Sequence, residues 1–196
     1  MEEKKTKKEV RRAIKKKKRI KKLLIWVGIG LGIITILGFV VWFSCRPLGD
    51  EEFPIMAANH IEDNTPPGEY NSDPPTSGHH YSAGLPAGFY AESDLLELPS
   101  YPDGHLVHNL EHGYIIFWYS CDDLEEDECS ELKTQIISYL DSSSNKKLIA
   151  FPRQSLETSL VLTSWGSLLK LDDFDEELAT EFIRRKRYNA PEPNAP

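Results

Sequence analysis

All six histidines of this chain fall between residues 60 and 112. His60 stands alone, His79 and His80 follow Pro74-Pro75-Thr76-Ser77-Gly78, and His105, His108 and His112 surround a His-Asn-Leu-Glu-His-Gly run. Imidazole is the commonest transition-metal ligand and the side chain that titrates nearest neutral pH. Several of them in one stretch therefore point to a metal site or to acid-base chemistry.

Gly104 and Gly113 bracket the third group. At ~100° per residue on a helix, His105, His108 and His112 lie within about 60° of one another, while Leu106, Val107 and Leu110 take the far side. A strand would instead mix His108 and His112 with Leu106 and Leu110 on one face. The spacing thus predicts a two-turn helix with one buried face and three presented imidazoles, closed by Gly113 at the C′ position. His108 and His112, four residues apart, can chelate one ion. His108-Asn109-Leu110-Glu111-His112 also fits the H-x-x-E-H pattern of inverted zinc peptidases, in which the Glu is the general base. In those enzymes the motif sits on a long helix, whereas here Gly113 and a strand pattern follow at once. In the second group, Pro74-Pro75 stiffens the backbone and Gly78 permits a positive φ. Neighbouring residues of an extended loop point in opposite directions, so only one of His79 and His80 is expected to join the cluster.

The elements that must hold these residues are legible around them. Residues 46 to 104 are rich in Pro, Gly, Asn, Asp and Ser without sustained apolar periodicity, which predicts a loop-dominated half wrapped on the domain. From Tyr114 the pattern becomes regular. YIIFWYS reads as a buried strand, residues 130 to 141 as a helix, and KKLIAFP and SLVLTSW as further strands, with Gly166 as a break before SLLKL. A last helix is signalled by Asp173 and Glu176 at capping-box spacing, by Phe174, Leu178 and Phe182 on one face, and by Arg184 to Arg187 at its C-terminal end. The tail NAPEPNAP is Pro-rich, and residues 191–196 are expected to be disordered. The order strand, helix, strand, strand, helix predicts an α+β domain with a small mixed β-sheet and two main helices. No internal repeat is present.

Residues 1–22 carry thirteen Lys or Arg against three Glu, and residues 23–44 follow with no charge, reading LLIWVGIGLGIITILGFVVWFS. At ~1.5 Å per residue such a segment spans the ~30 Å hydrocarbon core. Trp26 and Trp42 suit interfacial anchoring, and the basic run predicts a cytoplasmic N-terminus. The expectation is a single-pass signal-anchor helix in the cell membrane with an exported domain over residues 46–190. A cleaved signal peptide has a shorter apolar core and a small-residue cleavage site, which WFSCRP lacks. Cys45 is then an interfacial thiol without a role.

Residues 46–196 hold ten Lys or Arg against 28 Asp or Glu, a formal charge of 10 − 28 = −18. Such a surface suits solubility and disfavours nucleic acid and anionic lipid as partners. Cys121 and Cys129 flank the acidic run DDLEEDE and can form a disulfide in an oxidising compartment. Eight residues apart on one helix they would be ~12 Å distant, so the bridge needs a turn between them. The acidic run lacks the alternating ligands and central Gly of an EF-hand and reads as a solvated loop.

HIEDNTPPGEYNSDPPTSGHH, then GFY, VHNLEHGYIIFWY, KLIAFPRQ and TSWGSLLKL, in that order, resemble the bacterial domain-of-unknown-function family 3105 over about residues 53–194. The resemblance implies one N-terminal membrane helix and one exported domain, and it brings no established activity. Matched motif by motif, it marks His60, His80, His108 and His112, with Tyr70, Pro74, Pro75, Gly78, Glu111 and Gly113 beside them. His79 and His105 fall outside the motif. Two functional classes follow. One is a membrane-tethered protein that binds zinc or copper through His60, His80, His108 and His112, with Glu111 orienting an imidazole and Tyr70 near the ligands. Met56, the single Met after the apolar segment, offers little for a thioether-rich Cu(I) site. The other is a metal-assisted hydrolase with Glu111 as base. A third, non-catalytic possibility is an envelope interaction domain whose histidines hydrogen-bond loops, its protein partner not readable from sequence.

Overall fold

The computed structural model describes residues 2–44, 46–143 and 147–195, and it separates into two units, residues 1–47 and 48–196. Cys45 and Pro196 lie outside the described residues, as does Lys146 of the KKLIAFP segment. The first unit is one helix, α1 (Glu2–Ser44), which carries the basic run and the apolar run without a break. Its stretch Lys15–Trp42 is long and apolar enough to cross a membrane.

The second unit is α+β. Six strands, β1 (Glu51–Glu52), β2 (Gly88–Phe89), β3 (Ile115–Tyr119), β4 (Leu148–Pro152), β5 (Leu160–Ser164) and β6 (Ser167–Leu171), form one mixed sheet in the order β1-β6-β5-β3-β4-β2. β3 runs parallel to β4, and β4 parallel to β2; the β3–β5, β5–β6 and β1–β6 pairs are antiparallel. α3 (Glu126–Ser142) is the crossover between the parallel neighbours β3 and β4, and α4 (Glu176–Lys186) follows β6.

Why β3 occupies the middle is plain from its residues. Ile115, Phe117 and Tyr119 enter one apolar core with Leu132 and Ile136 of α3 and Phe182 and Ile183 of α4. Ile116 and Trp118 enter a second core with Leu106 and Leu110 of α2 (Pro102–Glu111). The period of two divides one short run between two cores, and each fully buried side chain contributes about 1.5–3 kcal/mol. Trp118 keeps its polar handle satisfied, its Nε1–H donating to Thr163 Oγ1 at 2.8 Å.

The expected strands, the tight turn at Gly166 and the α+β class are all present. Gly166 has φ +75°, and its N–H donates to Thr76 O at 3.0 Å, which docks the Pro74–Gly78 loop on the β5–β6 hairpin. Three details differ from the sequence reading, while the expected bridge between Cys121 and Cys129 is present. α3 begins at Glu126, so the end of the acidic run is helix rather than loop: its carboxylates lie at the positive end of the dipole, and Glu128 accepts from the Glu125 N–H at 3.1 Å. Cys121 precedes that helix and Cys129 lies in its first turns, so the chain folds back between them and a disulfide joins them, with Cα atoms 5.3 Å apart. α4 is capped by Asp175, whose carboxylate accepts from Leu178 N–H at 2.9 Å, not by Asp173. The stretch expected to be a disordered tail folds onto the domain through residue 195, where Lys147 Nζ donates to the carbonyls of Pro193 and Ala195 at 3.1 and 2.6 Å.

α2 departs furthest from expectation. It runs from Pro102 to Glu111 and is buried on both faces, from Gly104 to Glu111, instead of presenting one side to solvent. The loop-rich half covers it: the Tyr81 ring packs against Gly104 so closely that a Cβ there would come within 2.6 Å of it. The imidazoles are therefore held between the helix and the loop.

Candidate metal centre

His80 is the most constrained of the histidines. Its side chain is fully buried, and its Nδ1–H donates to Gly78 O at 2.9 Å, which turns Nε2 towards α2. There Nε2 meets Glu111 Oε2 at 2.9 Å. Both partners of this imidazole are acceptors, so a cation, either a proton or a metal ion, must lie between Nε2 and the carboxylate. Backbone pairing places His60 alongside: Ile61 N–H donates to His80 O at 2.9 Å, and His80 N–H donates to Asn59 O at 3.1 Å. His60 Nε2 approaches the same Oε2 to 3.9 Å, with its own side chain 55% exposed. His108, three residues before Glu111 on the same helix face, completes the group, its ring centroid 5.6 Å from that of His60 and 5.5 Å from that of His80.

One donor atom from each of His60, His80, His108 and Glu111 lies within 4.8 Å of the others. Tetrahedral ligands at ~2.0–2.1 Å from zinc stand ~3.4 Å apart, so small side-chain rotations bring this set to bonding distance. Burial first, and then the neighbouring His112, His80, His60 and His105, push the His108 imidazole down to about 4. It is neutral at ordinary pH, and its Nδ1 is buried without a hydrogen-bond partner. A neutral imidazole in a buried, polar, partner-poor place suits a cation.

Each arm is braced separately. Asn71 Oδ1 accepts from the N–H groups of Thr76 and Ser77 at 3.3 and 3.1 Å, and its Nδ2 donates to Thr76 Oγ1 at 2.7 Å, which shapes the loop before His80. The Asp73–Pro74 peptide in this loop is cis. Gly78 has φ +141° and lies over the Tyr70 ring, where a Cβ would come within 2.9 Å of Cδ1. Burial, with Asp103 nearby, pushes the Tyr70 hydroxyl up, and this O–H donates to His79 O at 3.3 Å. Tyr70 thus supports the loop that carries His80 and does not itself belong to the donor group. On α2, Asn109 Oδ1 accepts from Leu85 N–H at 2.8 Å while its Nδ2 donates to Leu85 O at 3.0 Å, like an added strand partner. Arg153 Nη1 donates to both oxygens of Asp103 at 3.0 Å, and Nη2 donates to Asp73 at 2.6 Å, tying α2 to the Pro74 loop.

The six histidines separate in space. His105 turns away, its Nδ1–H donating to Ala83 O at 2.6 Å and its ring 4.5 Å from that of Tyr81. His79 is outside the donor group, as the alternation of an extended loop requires. His112 is the C-cap of α2, and although its ring lies 4.2 Å from that of His108, its donor atom groups with Glu111 and Glu192 instead. Glu111 is grouped with the three imidazoles as a candidate donor instead of standing behind them. That placement had a signal in the sequence, since Glu111 is i+3 from His108. Glu192 had none, because nothing local reports a contact 80 residues away.

No curated protein and no solved structure matches the chain. The sequence profile of the family described as "Protein of unknown function (DUF3105)" matches residues 60–196, a span that takes in every histidine, Glu111 and Glu192. The chain belongs to that family.

Proposed function

We propose that this protein is a membrane-tethered extracytoplasmic domain that binds zinc or copper(II) through His60, His80, His108 and Glu111. The observation that carries the reading is His80, an imidazole fixed between two acceptors, with Glu111 on one side and two further imidazoles converging on the same place. Three nitrogens and one carboxylate oxygen are a donor set for these borderline ions. His112 was expected in the set; the grouping of donor atoms favours Glu111 in its stead.

A bound ion would be held by His60, His80, His108 and Glu111 and would supply Lewis acidity or a fixed positive charge. The chain's own part is to keep His108 neutral, to hold His80 in one tautomer through Gly78 O, and to leave His60 on the open side. In this reading Glu111, grouped with the three imidazoles, is a donor to the ion instead of the base of a hydrolase. Export is supported by the basic run before an apolar helix and by the Cys121–Cys129 bridge, which suits an oxidising compartment.

The test is metal analysis of the tag-free full chain purified in detergent, beside His80→Ala and Glu111→Gln. Zinc or copper retained by the wild type and lost from both variants is the expected result. A wild type holding no more metal than the variants would leave the histidines as loop-bonding residues of an interaction domain.

A further inference from the structure

We infer that Glu111 bridges two divalent cations, the second held by His112 and Glu192. This rests on the metal reading above and extends it. Glu111, His112 and Glu192 each offer a donor atom within 4.8 Å of the others, and Glu111 is also a member of the first group, so a single buried carboxylate belongs to both. Its Oε2 is the oxygen that meets His80 and His60. A carboxylate has two oxygens, and two-metal sites hold their ions ~3.5–4 Å apart, the span one bridging carboxylate covers. The rings of His108 and His112, one from each group, lie with centroids 4.2 Å apart, so the two groups adjoin.

Glu192 is delivered to this place by construction. Gly113, with φ +79°, lets the backbones of residues 113 and 188 meet: a Cβ at Gly113 would come within 2.9 Å of Tyr188 Cα. The chain then runs back along the end of α2, where the Glu192 N–H donates to Glu111 O at 3.0 Å. Lys147 Nζ fixes the same crossing by donating to His112 O at 2.8 Å as well as to Pro193 O and Ala195 O. Among the described residues these three bonds go to carbonyls and not to Glu111 or Glu192. The outcome is two carboxylates brought together around His112, whose Nε2 lies 3.5 Å from Glu192 Oε2. Two carboxylates and an imidazole are a donor set for a divalent cation.

The two groups differ in character. The first has three nitrogens and one oxygen; the second has one nitrogen and two oxygens and is the harder site. Three protein donors also leave its ion a coordination position for water or another exogenous oxygen ligand, as in zinc centres that act on substrates. With its side chain 60% exposed, Glu192 is the solvent-facing donor of the pair.

Zinc titrated into the metal-stripped full chain in detergent, followed by calorimetry and by metal-to-protein ratio after desalting, tests this. Two zinc ions per chain are expected for the wild type. Glu192→Gln, and separately a chain ending at Asn189, should keep the first ion with unchanged affinity and weaken the second at least tenfold. In the cobalt-loaded wild type, exchange coupling through Glu111 should diminish the electron paramagnetic resonance signal per ion, and Glu192→Gln should restore it. One ion in the wild type, or two undiminished ions in Glu192→Gln, overturns the bridge and leaves the single-metal reading standing. No ion at all overturns both.

Discussion

The two faces of the sheet are built from different materials. Against one lie α3 and α4, regular helices whose inward residues, among them Leu132, Ile136, Ala179, Phe182 and Ile183, are apolar. Against the other lie α2 and the loop-rich half, where Leu106 and Leu110 do meet the sheet but the outer side of the helix carries His105, His108, Asn109 and Glu111 into a second, polar interior. Charge sits outside the helical face and inside the histidine face. The first arrangement stabilises the fold by area removed from water; the second holds polar groups together with specific hydrogen bonds, each worth only about 1 kcal/mol net but costly to leave unpaired. A domain that needs only stability has no use for the second arrangement, which is why the site is read there.

If that division is real, the largest blow to stability should fall on the helical face without touching the metal. Phe182→Ala empties a fully buried position in the core that holds Ala179 and Phe117 and should cost about 3–5 kcal/mol. Thermal unfolding should show a large fall in Tm, and the folded fraction should bind zinc with wild-type stoichiometry. Loss of metal from the folded protein would show that the two faces are coupled.

The reverse experiment uses Gly78. Its φ of +141° and the Tyr70 ring beneath it leave no room for a Cβ, so Gly78→Ala must shift the loop or the ring. The expected cost is about 1–3 kcal/mol, smaller than that of Phe182→Ala. The functional cost should be larger, because Gly78 O is the acceptor that sets the His80 tautomer. Zinc affinity should fall by about 10–100-fold, the range for disturbing a partner behind a metal ligand. A variant that is destabilised yet binds zinc normally would detach Gly78 from the site.

The difference between the faces also explains what the sequence disclosed. The strands β3 to β6 and the helix α4 were legible because each is a short periodic run whose partners lie on one known side. The burial of α2 on both faces is not legible, because its periodicity reports the face towards the sheet and is silent about the loop that covers the other; Tyr81 against Gly104 is a contact no local pattern encodes. His60, His80 and His108, which the structure brings together, are marked in the sequence by residue type and motif. His112 keeps its helical place beside His108, with ring centroids 4.2 Å apart, but its donor atom groups with Glu111 and Glu192, a neighbour that no local pattern connects to α2. Glu192 was lost with a tail whose composition suggested disorder, while its order comes from Lys147 and the Gly113–Tyr188 crossing.

The finest test compares two carboxylates. Glu111 is buried among imidazoles; Glu181 lies on the outer side of α4, where it accepts from Arg184 Nε and Nη2 at 2.7 and 2.6 Å and from Arg185 Nε at 2.6 Å. The Arg184 hydrogen bonds, against the opposing effect of burial and with help from Arg185, hold the Glu181 carboxyl down to about 2. In the unfolded chain it titrates near 4.5, so between these values the unfolded state binds the extra proton. Its contribution is therefore present above pH 4.5 and lost as pH falls towards 2. Solvent screening at this surface position limits that contribution to about 0.3–1 kcal/mol. Glu181→Gln should accordingly lower Tm by about 1–3 °C at pH 6 and by almost nothing at pH 2.5. Zinc binding at pH 6 should not change. An equal loss of Tm at both would assign the effect to helix packing instead of charge, and a loss of zinc would mean that charge on the helical face reaches the histidine face after all.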